Sequence, residues 1–429
     1  MVEKLSGVYT TADIGGFTPD QAISRGAIGI VGHMNSGTGS AVAAGDLFST
    51  GNPAGTVYTF RSIVEAKATL GAIPVAQSGA DAWVDGTFGT GAASGIAGYS
   101  GQFNLLRGIE LVYLGNPAAR VYACVLSGSG VSSGAKLIPD GTAEALAELM
   151  KYEDIAFITA AGLEFNSTYL AHATASDNDA NQAERIYVGG ISLNDAYSGS
   201  TDVNKQDAYD VSEYTTLAED TGRSICFVGN GNFTFGTGHK SGSIVEGQKE
   251  IGGNWIGNFL AGYLSSFQEH ESLLNKGIAG FLPVYNGKGK IWNSTELETN
   301  YDNSHISIRF SASNSPAYYF EKAMTHTPKS SAWGRITRRR IVDRVIKDVR
   351  VVLRAEIGKP NIISRRRAIN DRVRRTLMAL LEIGMLQGSI SSTVFVQPLD
   401  SANGILRCNV NITPVGEIEE VRLTVGVIL

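Results

Sequence analysis

Five short, largely apolar runs constrain the fold most: A-I-G-I-V-G (27–32), V-Y-A-C-V-L (121–126), I-A-F-I-T (155–159), R-I-Y-V-G-G (185–190) and S-I-C-F-V-G (224–229). They are rich in β-branched residues and too short to be helices of ordinary length. Runs of this kind suit strands covered on both faces, as in a parallel sheet. Helical patterns lie between them at F-R-S-I-V-E-A-K-A-T-L-G (60–71) and T-A-E-A-L-A-E-L-M-K-Y (142–152). Strands alternating with helices predict an α/β domain over 21–255, preceded by a lead at 1–20 that has little to build a core from. Residues 256–275 read as a longer amphipathic helix.

The last third changes character. In 335–360, Val342, Val345, Ile346, Val349, Val352 and Leu353 recur at steps of three and four, so they share one helix face, and Gly358 and Pro360 supply the stop. A second helix is expected over 364–384, with Ile369, Val373, Leu377, Leu380 and Leu381 as its stripe. In I-L-R-C-N-V-N-I-T (405–413), Leu406, Cys408, Val410 and Ile412 alternate with polar residues, which is a strand with one apolar face. The expected fold class is therefore α/β and α+β. An α/β domain is followed at 256–415 by two long helices packed on a small β-sheet, with extended arms at 1–20 and 416–429.

Val421, Leu423, Val425, Val427 and Leu429 form another alternating strand pattern. Burying five such side chains contributes ~1.5–3 kcal/mol each. Ordering the backbone of about nine residues costs ~1–2 kcal/mol apiece. The two sums are comparable, so this strand needs the ladder and packed face of an existing sheet, its own or a neighbour's. If giving and receiving surfaces differ, the contact is heterologous and builds rings or open helices.

No motif points to catalysis. Gly32 and Gly37 have the spacing of a phosphate-binding loop, but Thr38 and Gly39 stand where Lys and Ser/Thr are required. The glycine-rich V-G-N-G-N-F-T-F-G-T-G-H (228–239) fits no dinucleotide frame and reads as a loop, as does 85–101. D-N-D-A-N-Q (177–182) begins like a calcium loop but has Gln182 in place of the glycine and Val188 in place of the final acid. The six histidines are not at metal-ligand spacing, and Cys124, Cys226 and Cys408 sit singly in apolar runs, as reduced core residues would. No cofactor or metal is expected. The N-terminal stretch lacks the apolar core of a signal peptide, and no run approaches the ~20 apolar residues of a membrane helix, so synthesis in a cytoplasm and no membrane insertion are expected.

The strongest polar signal is a cluster of arginines. Residues 335–375 hold thirteen Arg and two Lys against Asp343, Asp348, Glu356 and Asp371, a net +11. The whole chain is −5, so the remainder carries −16. A solvated helix face with local ion pairs is the ordinary reading. Yet pairs within a helix contribute only ~0.2–0.5 kcal/mol each, and a partner of opposite sign would relieve the repulsion. Two further readings are a nucleic-acid-binding protein using these helices and a soluble α/β enzyme with a glycine-rich cofactor loop. The scarcity of aromatics in 335–375 disfavours stacking on single strands.

R-I-T-R-R-R-I-V-D-R-V-I-K-D-V-R, the G-K-P-N break, L-L-E-I-G-M-L-Q-G and N-V-N-I-T-P-V-G-E-I-E-E-V-R-L-T-V resemble the contractile tail sheath family shared by bacteriophages, R-type pyocins and related injection machines. S-G-V-Y-T, R-G-A-I-G-I-V-G-H-M-N-S-G-T and F-R-S-I-V-E-A-K-A-T-L-G fit the same pattern, whereas 75–250 shows only a general α/β arrangement. The resemblance implies a structural, non-enzymatic subunit assembled in the host cytoplasm into the contractile tail of a virion. Hexameric rings would stack helically around an inner tail tube, with baseplate and tail terminator proteins as further partners and no direct contact with nucleic acid. The sheath would be built extended and metastable, then contract and drive the tube through a cell envelope. Arms carrying Val8, Tyr9, Val421, Leu423, Val425, Val427 and Leu429 would complete neighbouring sheets, and the C-terminal domain would face the tube. The helices are richer in arginine than this family suggests, and Arg338, Arg339, Arg344, Arg366, Arg367 and Arg374 are candidates to face an acidic tube or neighbour.

Overall fold

The computed structural model describes residues 26–32, 55–70, 105–126, 141–163, 165–178, 181–191, 220–234, 248–251, 253–278, 281–284, 292–310, 318–328, 331–390, 394–400 and 405–416. The arm expected at 1–20, all of the arm expected at 416–429 beyond Gly416, the loop at 85–101, and the loop after Gly32 lie outside them. The described residues fall into two compact units. One runs to Gln268 and resumes over 275–336; the other combines Glu269–Leu274 with the residues from Thr337 onward. The position 255/256 lies inside a helix of the first unit.

The first unit is built on a sheet of six strands, β1 (Ala27–Gly32), β2 (Val57–Phe60), β3 (Val121–Val125), β4 (Ile155–Ala160), β5 (Ile186–Ile191) and β6 (Ser224–Val228). Their order is β2-β3-β1-β4-β5-β6, and only the β2–β3 pair is antiparallel. The predicted apolar runs account for β1, β3, β4, β5 and β6. Helices in the unit are α1 (Ile63–Leu70), α2 (Leu105–Gly115), α3 (Thr142–Met150), α4 (Ser167–Ala175), α5 (Gly253–Ser266) and α6 (Ser294–Asp302). Adjacent strand residues point to opposite faces. Val31 packs with Leu146, Leu149, Tyr169 and Leu170 of α3 and α4, whereas Ile30 meets α2 at Gly108.

Two expectations are corrected. The glycine-rich stretch read as a loop contains β7 (Asn230–Thr234), the middle strand of an antiparallel sheet with β8 (Gln248–Ile251) and β9 (Phe281–Val284). Pairing on both sides overrides its poor intrinsic strand propensity. The helix expected at 256–275 is α5, which starts earlier, ends at Ser266, and is buried from Gly253 to Leu264 on all faces save at Tyr263. Its glycines explain the difference. A Cβ at Gly262 would lie 2.1 Å from the Val112 carbonyl oxygen of α2, and one at Gly253 would lie 2.0 Å from the Ile191 carbonyl oxygen of β5. Glycine here brings backbone against backbone, a use that a polarity pattern does not report. A hairpin of β10 (Ile308–Phe310) and β11 (Tyr318–Phe320) completes the unit.

Two arginines and three histidines of this unit are buried. Arg185 donates to the carbonyls of Ala183, Leu149 and Tyr152, so it caps the end of α3. Arg223 pairs with Asp177 at 2.7 Å, which places the calcium-like stretch at the turn after α4 as a structural contact. His305 and His326 stack with ring centroids 5.0 Å apart. Burial, aided by Arg185, pushes His172 down to about 3, and burial, aided by His326, does the same to His305.

Candidate assembly surface: the arginine-rich helices and their sheet

The second unit contains α7 (Ile336–Arg354), which begins one residue before it, and α8 (Ile363–Glu382). These are followed by β12 (Leu386–Gln387), β13 (Val394–Asp400), β14 (Ile405–Val410) and β15 (Thr413–Pro414). Gly358, at φ +81°, turns the chain out of the α7 end, and Pro360 follows. The end of α8 is a Schellman stop. Gly384 N–H donates to Leu381 O, Met385 N–H donates to Leu380 O, and Leu380 and Met385 both enter the core. The L-L-E-I-G-M sequence is thus a helix terminator with its hydrophobic contact included.

Ile341, Val345 and Val349 of α7 pack with Ile369, Val373, Leu377 and Leu380 of α8. Val352, Leu353 and Leu381 join at the margin, as do Val396 of β13 and Leu406, Cys408, Val410 and Ile412. The alternation read in 405–412 is therefore the inward face of β14 and its continuation. The strand itself stops at Val410, and Thr413–Pro414 pairs instead with Leu386–Gln387. Among the described residues β13 and β14 pair only with each other, antiparallel, and Leu406, Cys408 and Val410 remain half-buried. A two-stranded sheet is marginal on its own, and this one leans on α8.

The arginines divide by environment. Arg339 is buried and pairs with Asp343 at 3.1 Å. Arg344 donates from Nε to Asp348 at 2.7 Å and from Nη1 to Glu269 at 3.2 Å. Arg338 and Arg374 are half-buried, Arg366 is half-buried and donates to Asn361 Oδ1 at 2.7 Å, and Arg367 is exposed. Glu356, whose side chain is 5% exposed, gathers Lys359, Arg365 and Arg372 and so ties the end of α7 to α8. Burial works to raise the Glu356 pKa, but the Lys359 hydrogen bond and the charges of Arg365, Arg372 and Lys359 outweigh it and hold it below the usual value. Much of the basic cluster is therefore neutralised inside the unit, partly by Glu269 and Glu271, which stand far away in sequence and gave no local signal. Val8, Tyr9, Val421, Leu423, Val425, Val427 and Leu429 lie outside the described residues.

Other chemistry is sparse. Among the described residues no group of three or more His, Cys, Asp or Glu side chains is placed to hold a metal, and no helix is long and apolar enough to cross a membrane. Cys124 and Cys226 are buried and Cys408 half-buried, all as thiols. At the carboxyl end of β4, Asn258 donates to Thr159 Oγ1 and Ala160 O, and Asn254 donates to Gly162 O. Side chains of α5 thus occupy polar groups at the end of that strand.

No family model matches the sequence, and no curated protein matches it. Solved structures do. A chain of the anti-feeding prophage baseplate matches with a TM-score of 0.61 at 12% identity, covering 100% of both chains. A chain of the PVC sheath complex, an extracellular contractile injection system in the contracted state, matches with a TM-score of 0.62 at 13% identity over 99% of this chain and 98% of that one. The sheath tail protein of Desulfitobacterium hafniense matches with a TM-score of 0.56 at 11% identity over 96% and 98%. The fold described above is thus shared end to end with proteins of contractile injection systems.

Proposed function

We propose that this chain is a structural, non-catalytic subunit of a contractile sheath. The observation that supports it above all is the end-to-end likeness in fold to sheath chains, including one in a contracted sheath, with both chains covered almost completely. In this reading copies assemble as stacked hexameric rings around an inner tube, in contact with a baseplate and a terminator, within a virion or tail-like particle built in the host cytoplasm. The sheath forms extended and contracts to drive the tube through a target envelope. The edges of β13–β14 receive strands from neighbours, supplied by the segments around Val8–Tyr9 and Val421–Leu429. Exposed Arg367, with half-buried Arg338, Arg366 and Arg374, faces an acidic tube or neighbour, while Arg339 and Arg344 serve inside the unit.

Negative-stain electron microscopy of the full chain, with and without a co-expressed tube protein, beside a variant ending at Gly416, tests this. Tubes or rings from the full chain that the truncation loses are expected. Monomers under every condition, or salt-sensitive binding to duplex DNA with no assembly, would overturn the reading. Arg367→Glu with Arg374→Glu is expected to leave the monomer folded and weaken retention of the tube.

A further inference from the structure

Residues 269–274 leave the first unit, join the second, and return. This strap carries Glu269, His270 and Glu271. Arg340, Arg344 and Asp348 of α7 are spaced by four and share a helix face. Arg344 is shared between Asp348 on its own helix and Glu269 on the strap. Arg340, buried at 6% exposure, is attracted to both Glu269 and Glu271. Asp348 and Glu269 thus share one guanidinium, their side chains 4% and 13% exposed, and together they hold one negative charge more than Arg344 balances. Low dielectric makes such an excess costly, and a single proton removes it.

We propose that Asp348 is the acceptor of that proton, and that its protonation hands Arg344 to Glu269 and tightens the hold of α7 on the strap. Asp348 is the most enclosed acid of the Arg344 cluster, its side chain 4% exposed against 13% for Glu269. Its surroundings are charged on two elements: Arg344 and Lys347 on α7, and Glu269 on the strap. Burial pushes its carboxyl up to about 6; Arg344 pulls it down by charge and hydrogen bond, Glu269 pushes it up, and Lys347 pulls it down. An ionised Asp348 competes with Glu269 for one guanidinium and repels it. A neutral Asp348 does neither. Because the closed arrangement holds the proton more tightly than an open one, closure gains as pH falls from about 7 toward 5. This device stands on the strap geometry and does not depend on the sheath reading.

Hydrogen exchange of peptides spanning 269–274, corrected for intrinsic exchange, tests it at pH 7.5 and pH 5. In the wild type, protection of the strap is expected to rise by about tenfold at the lower pH, from a carboxyl at about 6 in the closed form and 3.8 when released. Asp348→Asn is expected to show the higher protection at both pH values, and Glu269→Gln is expected to show no rise. His270→Gln, the control for the imidazole on the same strap, is expected to keep it. Equal wild-type protection at both pH values, an unchanged rise in Asp348→Asn, or loss of the rise in His270→Gln would overturn the proposal. Should Asp348→Asn fail to fold, a carbon-13 titration of the wild-type Asp348 carboxyl decides. A midpoint near 6 supports the proposal and one near 3.8 refutes it.

Discussion

Replacing Gly262 by alanine puts one methyl group between two backbones. Its Cβ would stand 2.1 Å from the carbonyl oxygen, 2.9 Å from the carbonyl carbon and 3.0 Å from the Cα of Val112. Ordinary contact is about 3.5–4 Å, and none of these three atoms belongs to a side chain that can rotate away. Helices α2 and α5 must therefore separate by roughly 1 Å, which forfeits a quarter to a half of the dispersion energy across their contact. Overpacking of this kind costs about 1–3 kcal/mol. Alanine recovers about 1 kcal/mol in helix propensity, so the net loss is about 1–2 kcal/mol. The sign is the informative quantity, because in an open helix the same change stabilises. Gly115, whose Cβ would lie 2.4 Å from the Phe259 carbonyl oxygen, opens the same crossing from the other side. The double variant Gly115→Ala/Gly262→Ala should accordingly lose less than the sum of the singles. Urea unfolding followed by far-ultraviolet circular dichroism measures all three. A Gly262→Ala protein as stable as wild type, or more so, would refute the close backbone approach and with it the packing assigned to α5.

Acid should weaken the first unit. His172 and His305 have folded pKa values lowered to about 3, so the unfolded chain binds more protons below its own imidazole value of 6.5, and stability is lost as pH falls past that point. At pH 5 the loss is about 2 kcal/mol for each histidine, and an unfolding midpoint unchanged between pH 7.5 and 5 would contradict their burial as neutral rings. Glu356→Gln should destabilise the α7–α8 junction by about 1–2 kcal/mol, a modest figure because Lys359, Arg365 and Arg372 are partly exposed and screened. Since the Glu356 pKa is lowered in the fold, that difference should be present above the unfolded carboxylate range and vanish in acid as pH falls through the folded value; a gap between variant and wild type that persists at low pH would count against it. Asn293 accepts from Glu296 N–H at 2.9 Å while Glu296 accepts from Asn293 N–H at 2.8 Å, a reciprocal cap on α6. Asn293→Ala should therefore cost about 1 kcal/mol in chemical denaturation, and no change would mean the cap is replaced by solvent.

Local patterns that repeat within a few residues were legible in the sequence alone. The short apolar runs became β1, β3, β4, β5 and β6, because a strand buried on both faces needs apolar side chains at every position. The stripes of 335–353 and 364–381 became α7 and α8. The stop at Gly358 and the inward face at Leu406, Cys408, Val410 and Ile412 also followed from local pattern, since helix termination and strand alternation are properties of a few consecutive residues. Three features depended on residues far apart in the chain. Asn230–Thr234 is a strand because β8 and β9 flank it, though its own composition favours a turn. Helix α5 is buried on nearly every side because its glycines admit the backbones of α2 and β5, an arrangement that no periodicity encodes. The arginines read as a surface meet Asp343, Asp348 and Glu356 nearby, but also Glu269 and Glu271 on a strap more than sixty residues upstream. Charge count is a property of composition; which charges face one another, and which keep a solvent-facing side, is decided only when the chain closes on itself.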